Sequence, residues 1–220
     1  MNIDAYNANI PLIPADGRDA FELTDIQQAY WFGEQEIMDL HTVAFFHRTY
    51  RADDVDVSRL RDSLFQLHKT HDMLRVRIHS DGTQSIAPVA ESLHVLVVNE
   101  PTYSCRATWL RAQLPPADRG QPFVCVIENR GTSRFIHFAV RLAALDGKSL
   151  AMLFAELWNG YQGRHPGKSD SKGFRDYAGL CREHRLGEEY AQAREFWVGR
   201  VDEFPGAPQL RSEEHTSELQ

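Results

Sequence analysis

Apolar spacing and capping residues predict three helices in the first three quarters of the chain. The clearest lies at 147–161, where apolar side chains recur at i, i+3, i+4 and i+7: Leu150, Leu153, Phe154, Leu157, Trp158 and Tyr161. A second apolar helical face follows the capping residue Asp56 and consists of Val57, Leu60, Leu64 and Leu67. Thr24-x-x-Gln27 has the form of a capping box and predicts a short helix through about Glu34.

Segments rich in β-branched and aromatic residues lie between these helices. Strands are predicted at 41–52 and 94–98, and hairpins at 74–88 and 122–142. Glycine marks both hairpin turns, which we place at Asp81-Gly82 and at residues 129–131. A further helix is predicted at 103–114, and two more follow residue 173. Because helices and hairpins mix without regular β-α alternation, the fold class is predicted to be α+β.

Composition shifts divide the chain into five regions. The predicted limits are an N-terminal extension at 1–19, a lobe at 20–162, a linker at 163–173, a helical region at 174–210 and a tail at 211–220. The linker is rich in Gly, Ser and Pro. The tail, "RSEEHTSELQ", has no apolar period and resembles a translated sequencing adapter, so we expect a non-native segment; a natural polar tail is the alternative.

Charge and cysteine content narrow the class of protein. The 220 residues carry a formal net charge of -7 without a basic stripe, which argues against a nucleic-acid partner. No apolar run approaches the roughly 20 residues that span a bilayer, so we expect no membrane segment. Cys105, Cys125 and Cys181 are widely spaced and odd in number, which favours free thiols in a reducing cytoplasm.

Four separated stretches, taken in order, resemble the condensation superfamily of nonribosomal peptide synthetases, and in particular its heterocyclization branch. They are "FELTDIQQAYWFGEQ", "HKTHDMLRVRI", "LAALDGKSLAMLFAELWNGYQG" and "FRDYA" followed by "YAQAREFWVGRVDEFPGAPQL". The first carries the branch's LT-x-x-Q-x-A-Y-W spelling, and the third carries the Asp-Gly loop before a long helix. The resemblance covers roughly residues 20–210.

The resemblance implies a fold, a reaction and partners. The fold would be a chloramphenicol acetyltransferase-like lobe, a mixed sheet with helices packed on it, with the second lobe missing and the active site between the lobes. The reaction would join an acyl group on one carrier protein to an amine on another by thioester aminolysis. The partners would be carrier protein domains, an adenylation domain and the missing C-terminal lobe. No cofactor would bind directly, because the substrates are attached to the phosphopantetheine of the carrier proteins.

The loop before the long helix is where this chain departs from the family. Condensation domains have H-H-x-x-x-D-G there, and heterocyclization domains have D-x-x-x-x-D. Only Asp146 and Gly147 match, while Arg141 and Leu142 occupy the places of the His pair or first Asp. Neither of these side chains exchanges a proton at neutral pH. His137 lies on the same strand face as Arg141, about 13 Å away, and we expect it to be half-exposed.

Two interpretations of Asp146 stay open. In the family the loop Asp is mainly structural and pairs with an Arg, for which Arg75 is the candidate in this chain. Alternatively, Asp146-Gly147 is a plain turn before a helix. His68 and His71, three residues apart on a predicted helix, are expected to be solvated and to bind no metal.

Two functions follow from the resemblance. The first is the N-terminal half of a condensation or heterocyclization-type domain, working in an assembly line for a siderophore-like, thiazoline or oxazoline peptide, with a degenerate loop motif. The second is a catalytically silent scaffold or docking domain of the same fold. Arg141 favours the catalytically silent domain. If this one position blocks the reaction, Arg141→Asp is expected to restore amide formation in the complete domain. Because the family's dehydration residues lie in the missing lobe, an enzymatic role remains open.

Overall fold

A four-stranded sheet forms the centre of the first compact unit, which extends to Ala178. The computed structural model describes residues 19–38, 41–93, 95–164 and 173–206. Its strands are β1 (Phe21–Glu22), β2 (Phe45–Arg51), β3 (Val76–Ile78), β4 (Thr83–Ile86), β5 (Leu96–Asn99), β6 (Phe123–Arg130) and β7 (Ser133–Arg141). Its α-helices are α1 (Asp25–Gly33), α2 (Val57–Thr70), α3 (Arg106–Gln113), α4 (Gly147–Tyr161), α5 (Phe174–Leu186) and α6 (Glu188–Val198).

The central sheet is mixed. Its strand order is β2-β7-β6-β5, in which β5 runs parallel to β6 and the other neighbours are antiparallel. A smaller antiparallel sheet has the order β1-β4-β3. The register places Phe45 opposite Arg141, so the loop that follows β7 leaves the sheet at the beginning of β2.

The two faces of the central sheet carry separate apolar clusters, because successive strand side chains point to opposite sides. On one face, Ile136, Phe138 and Val140 of β7 pack with side chains of α2 and α4. On the other face, Val124 and Val126 of β6 pack with α3. The sheet is therefore the middle layer of three, as amphipathic helices on a mixed sheet require.

The second region, from Gly179 onwards, comprises most of α5, α6 and a 3₁₀ helix at Val201–Glu203. None of its described residues is buried. Its large exposed apolar side chains are Leu180, Leu186, Tyr190, Phe196, Trp197, Val198, Val201 and Phe204. Its helices are thus amphipathic without a covered apolar face.

The predicted elements are confirmed, with small shifts. The turn of the second hairpin lies at Gly131 and Thr132, one residue later than predicted, and Gly131 takes the positive φ of +56° that glycine tolerates. The first unit includes the beginning of α5, because the amide of Phe174 donates to the Asp72 carboxylate. Among the described ranges no helix is both long and apolar enough for a membrane span.

Three predicted regions fall largely or wholly outside the described residues. They are the N-terminal extension, the tail at 211–220 and most of the linker, of which Gly163, Arg164 and Gly173 are described. The predicted domain limits therefore stay a prediction.

Candidate active-site loop

The loop between β7 and α4 ends at Asp146, which is the N-cap of α4. Its carboxylate accepts the backbone N–H of Ser149 at 2.7 Å, as an N-cap side chain does for an otherwise unpaired helix amide. This hydrogen bond lowers the pKa of Asp146 below its ordinary value. Gly147 is the first helical residue, and a Cβ there would meet nothing within 4 Å. The geometry is that of a helix-starting turn.

The predicted ion pair between Arg75 and Asp146 is not formed. The Arg75 side chain instead caps the C-terminus of α2. Its guanidinium donates to the carbonyls of His68, Lys69 (3.2 Å) and His71 (3.5 Å), at the C-terminus of α2, and to Ala87 (3.0 Å). The last carbonyls of a helix lack partners within the helix and attract a cation. Arg75 thus ties α2 to the residues after β4.

Arg141 forms a buried ion pair instead of lining an open cleft. Its Nη1 lies 2.7 Å from a carboxylate oxygen of Glu34, at the end of α1, and its side chain is 8% exposed against 19% for Glu34. Its Nη2 donates to the carbonyl of Pro115 at 2.9 Å. Its Nε is buried without a hydrogen-bond partner. The guanidinium is therefore turned into the lobe.

Glu34 is a site residue that the sequence prediction missed. Burial raises its pKa above the ordinary value, and the nearby Arg141 charge opposes that rise. One signal was available: Glu34 stands at the C-terminal end of a predicted helix, where the helix dipole disfavours a carboxylate. An acid at such a position favours a nearby cation, but the sequence alone does not say which one.

Position 142 offers no proton acceptor either. The amide of Leu142 donates to the carbonyl of Ala44 at 3.0 Å, and its side chain packs at the edge of the first apolar cluster. The expectation for Arg141→Asp changes accordingly. An Asp at 141 would leave Glu34 without its cation and add a second carboxylate nearby, so we expect destabilisation rather than restored activity.

His137 is fully buried, contrary to the half-exposed position that was predicted. It is 0% exposed, and its two ring nitrogens lie 2.9 Å from the hydroxyl of Thr49 and 2.8 Å from the carboxylate of Glu128. That carboxylate also accepts from Arg130 at 2.5 Å and Tyr103 at 3.0 Å. Burial lowers the pKa of His137, and Glu128 opposes the shift. The prediction failed because α3 covers this face of the sheet.

His68 and His71 are also not the solvated pair that was predicted. His68 is 2% exposed and accepts the amide of Ala90 at Nε2 (3.2 Å), and burial lowers its pKa to about 4. His71 lies 2.6 Å from the carboxylate of Glu156 on α4. Within the described residues, no three His, Cys, Asp or Glu side chains come together as metal ligands would.

A small cavity lies near Arg75. Its lining includes His68, Arg75, Arg77, Pro115 and Phe123, and its volume is about 40 Å³. Such a space holds a few waters, whereas small-molecule sites usually enclose about 300–1,000 Å³. This cavity is therefore too small for an aminoacyl group.

Sequence comparisons find relatives among nonribosomal peptide synthetases. No family model matches the chain. Pyochelin synthetase PchE of Pseudomonas aeruginosa is 30% identical over 218 residues, covering 92% of this chain and 15% of PchE. Phenyloxazoline synthase MbtB of Mycolicibacterium paratuberculosis is 30% identical over 215 residues, covering 90% of this chain and 18% of MbtB. The chain thus spans less than a fifth of the length of these relatives.

Solved structures share the fold. The EpoB cyclization-docking bidomain from Sorangium cellulosum matches with a TM-score of 0.75 and 23% identity, over 95% of this chain and 44% of that one. The nonribosomal peptide synthetase FmoA3 matches with a TM-score of 0.72 and 24% identity, over 93% of this chain and 22% of that one. The mixed sheet and its helices are those of the chloramphenicol acetyltransferase-like fold that condensation domains share. The chain is therefore similar over most of its length to nonribosomal peptide synthetases, and it shares the fold of their condensation and cyclization domains.

Proposed function

We propose that this chain is the N-terminal part of a heterocyclization-type domain that acts on carrier-bound aminoacyl or peptidyl thioesters, and that position 141 is structural in it. The ion pair between Arg141 and Glu34 carries the proposal. A residue that lines a cleft between two lobes would be exposed in one lobe alone, yet the Arg141 side chain is 8% exposed. Its charge is also matched by a carboxylate 2.7 Å away. Arg141 thus stands where the family has a His or an Asp, and the carboxylate of Glu34 balances its charge.

If position 141 is structural, the described residues contribute to the reaction by positioning the substrates. Thioester aminolysis requires a neutral amine held close to a carbonyl, and such alignment supplies a large share of the acceleration. Positions 141 and 142 hold no proton acceptor, and the Asp146 carboxylate is engaged as a helix cap. Any proton transfer or dehydration would then rest on groups outside the described residues.

The experiment measures amide formation between two loaded carrier proteins by the full-length protein that contains this chain. The wild type is compared with Arg141→Met/Glu34→Met, which removes both charges together. We expect product from both, with rates within about fivefold. A general acid or base is typically worth about 10²–10⁴ in rate, so a folded double variant that loses more than about 100-fold would overturn the structural assignment.

A second candidate is a silent docking domain. It is favoured by the absence of a proton acceptor at positions 141 and 142, and the fold is compatible with it: the teicoplanin X-domain, with a TM-score of 0.69 and 19% identity, was solved in complex with OxyB. Carrier binding without amide formation by the wild type would favour this candidate over the first.

The proposed partners and location follow from the same assignment. Carrier domains would present substrates on phosphopantetheine, and an adenylation domain would load them. A siderophore-like product is suggested by the pyochelin synthetase relative. We also propose a reducing cytoplasm, because Cys105, Cys125 and Cys181 are unpaired thiols.

A further inference from the structure

Two buried carboxamides join α1, the small sheet and the loop after β7. Gln27 and Gln84 are 3% and 0% exposed. Each donates from Nε2 to the other's Oε1, at 2.9 and 2.8 Å. Gln27 also donates to the carbonyl of Ala143 at 3.0 Å, and Gln84 donates to the carbonyl of Glu22 at 3.0 Å. Among the described hydrogen bonds of these two side chains, only those of Gln27 reach the loop.

The orientation of the Gln27 carboxamide is set from both sides. Its oxygen accepts the backbone N–H and the hydroxyl of Thr24, each at 3.1 Å, while its nitrogen faces a backbone carbonyl. A backbone amide can only donate and a carbonyl can only accept, so the opposite orientation would lose both contacts. The capping box of α1 therefore fixes the group that holds Ala143.

Helix α1 thus makes two contacts here, one with the end of β7 and one with the loop that follows it. Gln27, in its first turn, holds the carbonyl of Ala143, and Glu34, just past its last turn, holds the side chain of Arg141. About two turns of helix separate Gln27 from Glu34. Ala143 and Arg141 both precede Asp146 in the sequence, so these two contacts fix the backbone that leads into α4.

We propose that Gln27 is a positioning residue that fixes the backbone of residues 141–146 relative to the thioester substrate. This inference rests on the proposed function. Because Gln27 is buried beneath the loop, it contacts no substrate and acts through the carbonyl of Ala143. The competing explanation is general support of the fold, and Gln84 separates the two explanations. It belongs to the same amide pair and is equally buried, but it holds Glu22 instead of the loop.

The experiment compares Gln27→Met with Gln84→Met. Each change removes the amide pair and leaves one backbone carbonyl without its donor, and Gln27→Met also removes the acceptor of Thr24 in the capping box. Hydrogen exchange of residues 141–150 is measured in the 220-residue chain, and amide formation between loaded carriers is measured in the full-length protein. Gln27→Glu serves as a second variant: it keeps the oxygen that accepts from Thr24, so the capping box is preserved, and it replaces the donor to Ala143 by an oxygen that cannot donate when ionised.

For Gln27→Met we expect loop exchange to quicken at least fivefold and kcat to fall about tenfold, with KM for the carrier-bound thioester unchanged. For Gln84→Met we expect both quantities within twofold of wild type. Equal effects of the two variants on exchange, or no effect of either, would overturn the proposal. If wild type forms no amide, the proposed function fails, while loop exchange still decides whether Gln27 positions the loop.

Discussion

The two regions of the chain have similar helices but place their apolar side chains differently. In the first unit, Leu60, Leu110 and Leu157 are at most 1% exposed. In the second region, Phe196, Trp197 and Phe204 are 52–56% exposed. Both regions follow amphipathic patterns, so the pattern predicts a helix in each. Burial requires a covering layer, which the central sheet provides in the first unit only.

The largest expected difference between the regions comes from truncating matched leucines. Leu157 of α4 is 1% exposed and Leu186 of α5 is 79% exposed. Leu157→Ala should lower the free energy of unfolding by about 4 kcal/mol, because it removes buried methyl groups and leaves a cavity. Leu186→Ala should change it by less than about 0.5 kcal/mol. Urea unfolding followed by circular dichroism measures both, and similar losses would contradict the contrast.

The next largest difference is between the free energies of unfolding lost when two Arg–Glu ion pairs, one buried and one exposed, are broken. Arg141→Met leaves the carboxylate of Glu34 largely buried without its cation, which should cost about 3 kcal/mol. Arg200 lies 3.4 Å from Glu203 with both side chains at least half exposed, so Arg200→Met should cost at most about 1 kcal/mol. Both are measured by urea unfolding. The Arg141→Met/Glu34→Met variant should regain part of the loss, and no regain would mean that the charge of Glu34 is not the cause.

A pH effect is expected from the buried His68 of the first unit. The pKa of His68 is lowered to about 4 in the folded state, so the unfolded chain binds a proton more readily below pH 6.5. Its contribution to stability is complete above pH 6.5 and is lost as pH falls towards 4, by about 2 kcal/mol between pH 7 and pH 5. His68→Gln should reduce the pH dependence of the unfolding free energy by this amount. An unaltered pH dependence in His68→Gln would contradict this assignment.

The smallest effect on stability concerns the uncovered aromatics of the second region. Phe196, Trp197 and Phe204 contact one another through their rings and remain exposed. Exposed apolar patches promote association, so light scattering of the 220-residue chain should show species larger than a monomer. Replacing all three by Ser should shift the chain towards monomer and change the free energy of unfolding by less than about 0.5 kcal/mol. A monomeric wild type would contradict this expectation.

Local chemistry explains which features the sequence predicted. The helix that follows Asp146, the apolar face of α2 and the capping box at Thr24 depend on residues within a few positions of one another. Their predictions are confirmed by the bounds of the helices. The chloramphenicol acetyltransferase-like fold followed from four separated motifs.

Partners that are distant in sequence were not predictable in this way. Glu34 and Arg141 are 107 positions apart, and their contact depends on where α1 packs. Arg75 was assigned to Asp146 through the family resemblance, yet four carbonyls nearer in sequence take its donors. His137 looked half-exposed because an alternating strand does not reveal which helix covers its polar face. Each of these errors concerns packing between elements rather than the elements themselves.

The strand order β2-β7-β6-β5 has a consequence for synthesis on the ribosome. Thr49 of β2 pairs with His137 of β7, 88 residues later in the chain. At about 5–20 residues per second, β2 emerges roughly 4–18 s before its hydrogen-bonding neighbour. During that interval its backbone amides and carbonyls are open to other chains, as in any unpaired strand. The first unit should therefore gain most from a chaperone that binds nascent chains before residue 141 has emerged.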